Sequence, residues 1–321
     1  MLQKQKLALE NKTPLRNIKL VELTDKIVTT PDFIAERAKH FYPSAASIKV
    51  GDKVIGACLR QSFYAMTGVP QTNPPTAKSW WKMRLGTLVE KDLVDVWKRG
   101  GFHVNNSVKF YNELINLSGE LDDVLLIAGN LFCCEIKSIE GYYAVKEHIG
   151  TKEKPGYPKL PQLMQAFLYT WHFRDRLSGC KMYYIARDSG DQKEYTVECF
   201  QDGDDFFPMV DGIVDRRFPL SGIIKRYQEL KEHLRNKTVP DRDFAYQMTD
   251  EQIEKAFKDG DLSTSIYETW HKVLKSKKIK DKDSRRPGNW QCSWCSWKNH
   301  CYSDVKEVKA DSECSEELLQ N

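Results

Sequence analysis

The sequence predicts a mixed α/β fold, with a central sheet flanked by helices, and three observations carry that expectation. Apolar residues recur at helical spacing from Lys82 to Arg99, strand-like segments crowd into 102–137, and a helix opened by Pro161 separates them from two more strands.

Taken in order, residues 1–30 are polar and read as an arm, and Thr30-Pro31-Asp32 supplies a capping hydroxyl and first-turn proline for a short helix over 31–40. Leu59 to Met66 reads as a helix stopped by Gly68 and Pro70. In the Lys82–Arg99 helix, Met83, Leu85, Leu88, Val89, Leu93, Val94, Val96 and Trp97 suggest burial on most sides, and Gly100-Gly101 ends it. Strands are expected at 102–111, 113–118, 121–127 and 131–137, with turns at Ser118-Gly119 and Ala128-Gly129-Asn130. The Pro161 helix runs to Phe173 with Leu160, Met164, Phe167, Leu168 and Trp171 on one stripe. Strands 181–187 and 193–200 flank the turn Asp188-Ser-Gly-Asp191. Ile223, Tyr227, Leu230 and Leu234 mark another helix, Thr249-Asp-Glu-Gln252 is a capping box, and Ile266, Tyr267, Trp270, Val273 and Leu274 mark a last helix.

The organisation expected is an arm with a short helix (1–50), an α/β core (51–235), a helical insertion with a basic segment (236–289), a cysteine segment packing back on the core (290–303) and an acidic, mobile tail (304–321). At 321 residues, 40% hydrophobic and 29% charged, the chain has an ordinary globular balance. Its net charge of +4 is too small to signal a polyanionic partner by itself. No apolar run suits a membrane span, and Met1-Leu-Gln-Lys-Gln-Lys lacks the apolar core of a secretion signal, so a cytoplasmic location without membrane partners is expected. There the nine cysteines point to metal binding before disulfides.

The chemistry concentrates in Gly119-Glu-Leu-Asp122 and Cys134-Glu135-Ile136-Lys137. If 121–127 and 131–137 form a tight hairpin, Asp122 lies opposite Glu135 or Lys137. Either register gathers all three on one face, because strand side chains alternate. Two converging carboxylates suit a hard cation such as Mg²⁺ or Mn²⁺, and a neighbouring lysine can orient water or offset charge on a phosphate. Glu90 shares a helix face with Gly86, Leu93, Val94 and Trp97, where a carboxylate is costly unless paired or ligating. Gln165 and Tyr169 stand one helical turn apart and can reach the same edge. Asp123, Glu120 and Glu113 fall off the pattern and are expected to be solvated, while Cys133 and Cys134 read as packing residues.

Gly-x-x-Asp at 119–122, Glu-x-Lys at 135–137 and Gln-x-x-x-Tyr at 165–169 resemble, in order and spacing, the motifs of RecB-like PD-(D/E)xK nucleases. The resemblance implies a restriction-endonuclease-like core with helical additions. It also implies metal binding by Glu90, Asp122, Glu135 and the Ile136 carbonyl, a water-assisting Lys137, and Gln165 and Tyr169 flanking the site. Many iron–sulfur members carry histidine where Gly86-Thr-Leu-Val-Glu90 has glutamate, as other branches do.

Cys292-x-x-Cys295 and Cys301 place three thiols within ten residues. Ala57-Cys-Leu-Arg-Gln-Ser-Phe-Tyr64 resembles the upstream cysteine motif of the iron–sulfur nucleases, which include the CRISPR adaptation exonucleases and AddB nuclease domains. That likeness implies a four-iron four-sulfur cluster held by Cys58, Cys292, Cys295 and Cys301. Zinc is the alternative that the Cys-x-x-Cys spacing leaves open. Cys180, Cys199 and Cys314 are expected to be free thiols, and Trp290, Trp294 and Trp297 to form a lid over the cluster, base stacking being the bolder reading.

Lys272–Arg286, with eight basic residues, reads equally as a phosphate track or a solvated linker. Arg60, Trp80, Trp81, Lys82 and Arg84 make a weaker patch. The expected activity is metal-dependent hydrolysis of DNA, single-stranded or with free ends, in recombination, repair or CRISPR adaptation. The alternative is a silent DNA-binding or assembly subunit. No Gly-x-x-x-x-Gly-Lys-Ser/Thr motif is present, so a helicase, recombinase or integrase would be a separate partner.

Overall fold

A hairpin of β1 (Ser47–Val50) and β2 (Lys53–Gly56) precedes helices α1 (Leu59–Met66) and α2 (Ala77–Gly100). Strands β3 (His103–Asn112), β4 (Leu117–Ile127) and β5 (Asn130–Ile139) follow as an antiparallel meander. Helices α3 (Tyr142–His148) and α4 (Leu160–His172) then carry the chain over to β6 (Gly179–Ala186), which lies parallel to β5. A parallel pair requires such a crossover, whereas antiparallel neighbours need only turns. Strands β7 (Gln192–Asp202), β8 (Asp205–Val210) and β9 (Ile213–Val214) complete a seven-stranded mixed sheet in sequential order. Helices α5 (Leu220–Asn236), α6 (Asp250–Lys258), α7 (Thr264–Lys275), α8 (Trp290–Ser293) and α9 (Lys298–Cys301) follow. This computed structural model describes Val21, Thr24, Asp25 and residues 40–303. The helix expected over 31–40 lies outside the described residues but for its last position, as do Cys314 and the 304–321 tail.

The sheet separates two apolar layers. On one face α4 is buried along nearly its whole length, with Leu163, Met164, Phe167 and Leu168 sealed against Met182, Tyr184 and Val197 of the sheet. On the other face α2 rests Leu93, Val94 and Trp97 against Leu125, Cys134 and Ile136. Thr76 caps α2 by accepting from Ser79 N at 3.3 Å, and Gly101 closes it at φ +79°. The expectation of burial on most sides fails here. Met83, Leu85, Leu88 and Val96 are exposed, because only the stripe through Leu93 and Trp97 meets the sheet. Among the described residues no helix is long and apolar enough to cross a membrane.

Other differences concern boundaries. The expected strand 113–118 and its Ser118-Gly119 turn are replaced by a turn over 113–116, with Asn116 at φ +52°, leading into one long β4. Gly119 serves packing instead: a Cβ there would lie 2.5 Å from the Phe110 ring. The core also begins before residue 51, since Phe41 and Ile48 are buried within it and Phe41 bridges to Leu117. Strands β1, β2, β8 and β9 were not among the expected elements; they are short, and in β8 Pro208 removes one ladder donor. The insertion has its own small core of Ile253, Leu262, Trp270 and Val273, and the Thr249–Gln252 capping box forms with both reciprocal bonds.

Candidate functional site

The β4–β5 hairpin turns through Ala128-Gly129, both at positive φ, so that Ile127 pairs with Asn130 and Asp123 with Cys134. Continuing that register sets Asp122 beside Glu135. There the regular ladder stops, and Asp122 Oδ2 accepts the Ile136 N–H at 2.8 Å in place of a strand carbonyl. The parting of the strands is what frees carboxylate and lysine side chains to converge on the α4 face. Lys137 Nζ donates to Glu135 Oε1 and, at 3.4 Å, to Gln165 Oε1. Gln165 Nε2 donates to Tyr169 OH at 2.9 Å, and Tyr169 OH donates to the Glu120 carbonyl at 3.1 Å. The chain of bonds thus ties β5 to α4 and returns to β4. Phe110, which packs over Gly119, meets the Tyr169 ring edge-on at 5.8 Å.

Glu90 reaches the same group from α2. Its helix passes close to β5 at Gly86, where a Cβ would stand 3.5 Å from Ser138 Oγ. Burial pushes the Glu90 carboxyl up to about 7, and the nearby Asp122 charge adds to the rise while Lys137 opposes it. Asp122 is also pushed up to about 7, by burial and then by Glu135. Glu135, almost fully buried, is raised by burial, with Glu90 adding to the rise against the lowering effect of Lys137. Burial alone would lower Lys137, but the Glu135 and Asp122 carboxylates hold its ammonium pKa above the ordinary value. Glu135 Oε2 is buried with no hydrogen-bond partner, an arrangement that is costly in the absence of a cation. Among the described residues no group of three or more His, Cys, Asp or Glu side chains stands close enough together to hold a metal ion. A hard divalent ion would still suit the chemistry of the donors, because Glu90, Asp122 and Glu135, the last with its orphaned Oε2, would all gain from the same positive charge.

Asp123 departs from expectation. It is 0% exposed, facing away from Asp122, with Oδ1 2.8 Å from His103 Nδ1 and from the Val124 N–H. Alternation along the strand makes this inevitable once Asp122 faces the site.

The four cysteines Cys58, Cys292, Cys295 and Cys301 line one partly open cavity, together with Arg60, Tyr64, Arg242, Lys298 and Tyr302. None is in a disulfide. Burial raises Cys58 and takes Cys292 to about 11, with Cys58, Cys295 and Cys301 adding to the rise at Cys292. The closure relies on residues that motif reading missed. Cys58 caps α1 without a side-chain bond, and Asp243 supplies it instead, accepting from Leu59 N at 2.7 Å and from the buried Arg226 Nη2 at 2.6 Å. Arg60 Nη1 donates to Cys301 Sγ at 3.8 Å, across 241 residues, and Arg60 Nε to Pro240 O at 2.7 Å. Arg60 is therefore occupied here, not available in the weaker basic patch. Gly288 allows the cysteine segment to pass Tyr246, where a Cβ would collide with its carbonyl at 1.7 Å. Arg226 could have been suspected, because it interrupts the apolar stripe of Ile223, Tyr227 and Leu230 as Glu90 interrupts that of α2.

The lid expected of three tryptophans is not formed. Trp297 is buried and donates to Val69 O at 2.7 Å, but Trp290 and Trp294 are 58% and 60% exposed. Trp290 opens α8, while Trp294 and Trp297 flank the turn between α8 and α9, and of the three only Trp297 is turned inward. Within the Lys272–Arg286 segment, Lys282 bonds the Leu274 carbonyl and Arg286 pairs with Asp250 and Asp283 while covering the Trp270 ring. Those two cations fold the insertion, whereas Lys277, Lys278 and Lys280 remain exposed. Cys133, Cys134 and Cys180 are core residues with free thiols, and Cys199 is a half-buried one.

No protein-family model matches the chain, and no curated protein matches it. A solved structure described as the crystal structure of SSO0001 is similar over 91% of this chain and 98% of that chain, at 15% identity and a TM-score of 0.41, a likeness too distant to carry an argument.

Proposed function

We propose that this protein is a metal-dependent deoxyribonuclease with a PD-(D/E)xK core, acting on DNA that is single-stranded or has free ends, as an exonuclease. The observation that carries the reading is the convergence of Asp122, Glu135 and Lys137 with Gln165 and Tyr169 around an unpartnered, buried Glu135 oxygen. Glu90, Asp122, Glu135 and the Ile136 carbonyl would hold Mg²⁺ or Mn²⁺. When bound, such an ion supplies Lewis acidity and counter-charge for a phosphodiester. Lys137 holds a proton and positive charge at the mouth of the carboxylate group, placed to orient the attacking water or to offset charge developing on phosphate. Gln165 fixes that ammonium, and Tyr169 braces Gln165 against the Glu120 carbonyl, so the lysine is held by the sheet and α4 together.

The same reading gives the cysteine cavity to a four-iron four-sulfur cluster of structural role. Four thiols sharing a cavity with Arg60, Arg242 and Lys298 suit a group of net negative charge. Recombination, repair or CRISPR adaptation in the cytoplasm are the contexts we assign. End-labelled single strands incubated with Mg²⁺ or Mn²⁺ should be degraded, and Glu135→Ala or Lys137→Ala should each slow this by roughly 10³-fold. A folded, metal-loaded protein that leaves both single- and double-stranded DNA intact would move the assignment to a DNA-binding or assembly subunit.

A further inference from the structure

Two groups of exposed aromatic rings lie next to chain segments that lead into the carboxylate site, and neither is used by the core. Tyr142 and Tyr143 are 68% and 77% exposed at the start of α3, directly after the strand that carries Glu135 and Lys137. Tyr142 follows Lys137 by five residues, so their Cα atoms are at most about 18 Å apart. Trp290, 58% exposed, lies under the Lys159 ammonium at 5.0 Å from its ring centroid. Lys159 immediately precedes α4, and helical rise puts it only about 9 Å along the axis from Gln165.

We propose that Tyr142 and Tyr143 on one bank of the site and Trp290 on the other stack the bases of a single DNA strand, with Lys146 and Lys159 meeting its phosphates. This assignment rests on the nuclease reading for its substrate class, and it adds the residues that select strand state. Exposed rings are costly in water and offer flat faces that any base can cover, whereas a duplex keeps its bases stacked on each other. The charge is complementary: residues 141–159 carry four lysines and two glutamates, a net +2. Lys146 Nζ stands 5.8 Å from the Tyr142 ring centroid, so cation and ring are presented together on both banks.

The tyrosine bank is also fixed in place. Gly141 N donates to Asp188 Oδ2 at 2.9 Å, and Arg187 pairs with Glu140 at 2.7 Å. At the far end of α3, buried His148 bonds the Tyr157 carbonyl at 3.0 Å, and Tyr195 OH donates to the His148 carbonyl at 2.7 Å. The rings Tyr142 and Tyr143 meet at 75°, so they present faces in two directions.

The test is equilibrium binding in EDTA of a fluorescein-labelled oligo-dT of about 15 nucleotides, a length within single-strand site sizes, beside a duplex of the same length. Wild type should favour the single strand. The double substitution Tyr142→Ala/Tyr143→Ala should weaken that binding at least about tenfold, and Trp290→Ala about fivefold, with duplex binding nearly unchanged. Tyr142→Phe/Tyr143→Phe should bind as wild type, since the ring and not the hydroxyl is used. Lys146→Ala and Lys159→Ala should flatten the salt dependence. Alanine variants that bind as tightly as wild type, or a wild type that does not prefer single strands, overturn the platform and leave these rings to a protein partner. Degradation assayed in parallel keeps the two ideas apart: cutting that survives with unaltered binding in the alanine variants sinks only the platform, and tight single-strand binding without cutting sinks only the nuclease.

Discussion

The carboxylates and the cysteines reach their sites by different routes. Asp122 and Glu135 belong to adjacent strands of one hairpin, and Gln165 and Tyr169 to α4, the second helix after it. Cys58 stands instead at the head of α1, while its three companions lie in α8 and α9 and the turn between them. The first site is set by alternation and helical pitch, and only Glu90 must arrive from farther away. The second needs the whole chain to close, and the closure is made by Asp243, Arg226, Arg60 and Trp297. Short-range geometry therefore builds the charged site, and long-range closure builds the thiol site, which should be the more dependent on bound metal for its stability.

The largest expected effect falls on the thiol side. Cys58→Ala should abolish iron uptake in an anaerobic preparation and lower the thermal midpoint by on the order of 10 °C. A zinc-loaded, colourless wild type would overturn the iron–sulfur assignment, and a Cys58→Ala protein that keeps its iron and midpoint would break the proposed closure.

The two sites should next differ in their response to pH. The folded Asp122 and Glu90 carboxyls titrate near 7, above the ordinary 3.8 and 4.5. Raised carboxyl values stabilise the fold fully below the ordinary values, and that contribution is lost as pH climbs through about 7. In EDTA the wild type should therefore melt several degrees higher at pH 5.5 than at pH 8. Asp122→Asn should remove much of this slope, and Mg²⁺ should raise the midpoint of wild type more than that of the variant at pH 8. The cysteine cavity adds no carboxylate that titrates in this range, so Cys292→Ser should leave the slope as it is. A midpoint flat from pH 5.5 to 8 in EDTA would contradict the crowded-carboxylate account.

The smallest effect is reserved for Tyr169→Phe. It deletes the bond to the Glu120 carbonyl and the acceptor for Gln165, yet keeps the ring against Phe110. A loss of about 1 kcal/mol of stability is expected, with a several-fold fall in cutting rate. A loss as large as that of Lys137→Ala would mean that the tyrosine touches the reacting groups itself.

Much of the charged site was legible because short spacings encode it. Strand alternation joined Asp122, Glu135 and Lys137 before any pairing was known, and the i, i+4 step joined Gln165 to Tyr169. The two-residue turn at Ala128-Gly129 then chose Glu135 as the neighbour of Asp122. Less legible were features whose meaning depends on what lies across the fold. Gly119 looked like a turn residue, yet it is glycine because Phe110 covers it. Met83, Leu85 and Leu88 looked like core, yet α2 meets the sheet along one stripe only. Asp123 looked solvated until its place under α2, beside His103, was fixed.

By itself, then, the sequence determined the α/β class, the central hairpin and the face shared by its carboxylates and lysine, since these follow from periods of two and of 3.6 residues within short stretches. Tertiary structure alone decided that Glu90 meets Asp122, that Asp243 caps the helix of Cys58, and that Trp297 turns inward while Trp290 faces water. Those outcomes depend on how helices lie across the sheet and on contacts between segments as far apart as Arg60 and Cys301. No local period carries that information, because burial is a property of the surface an element meets and not of the element.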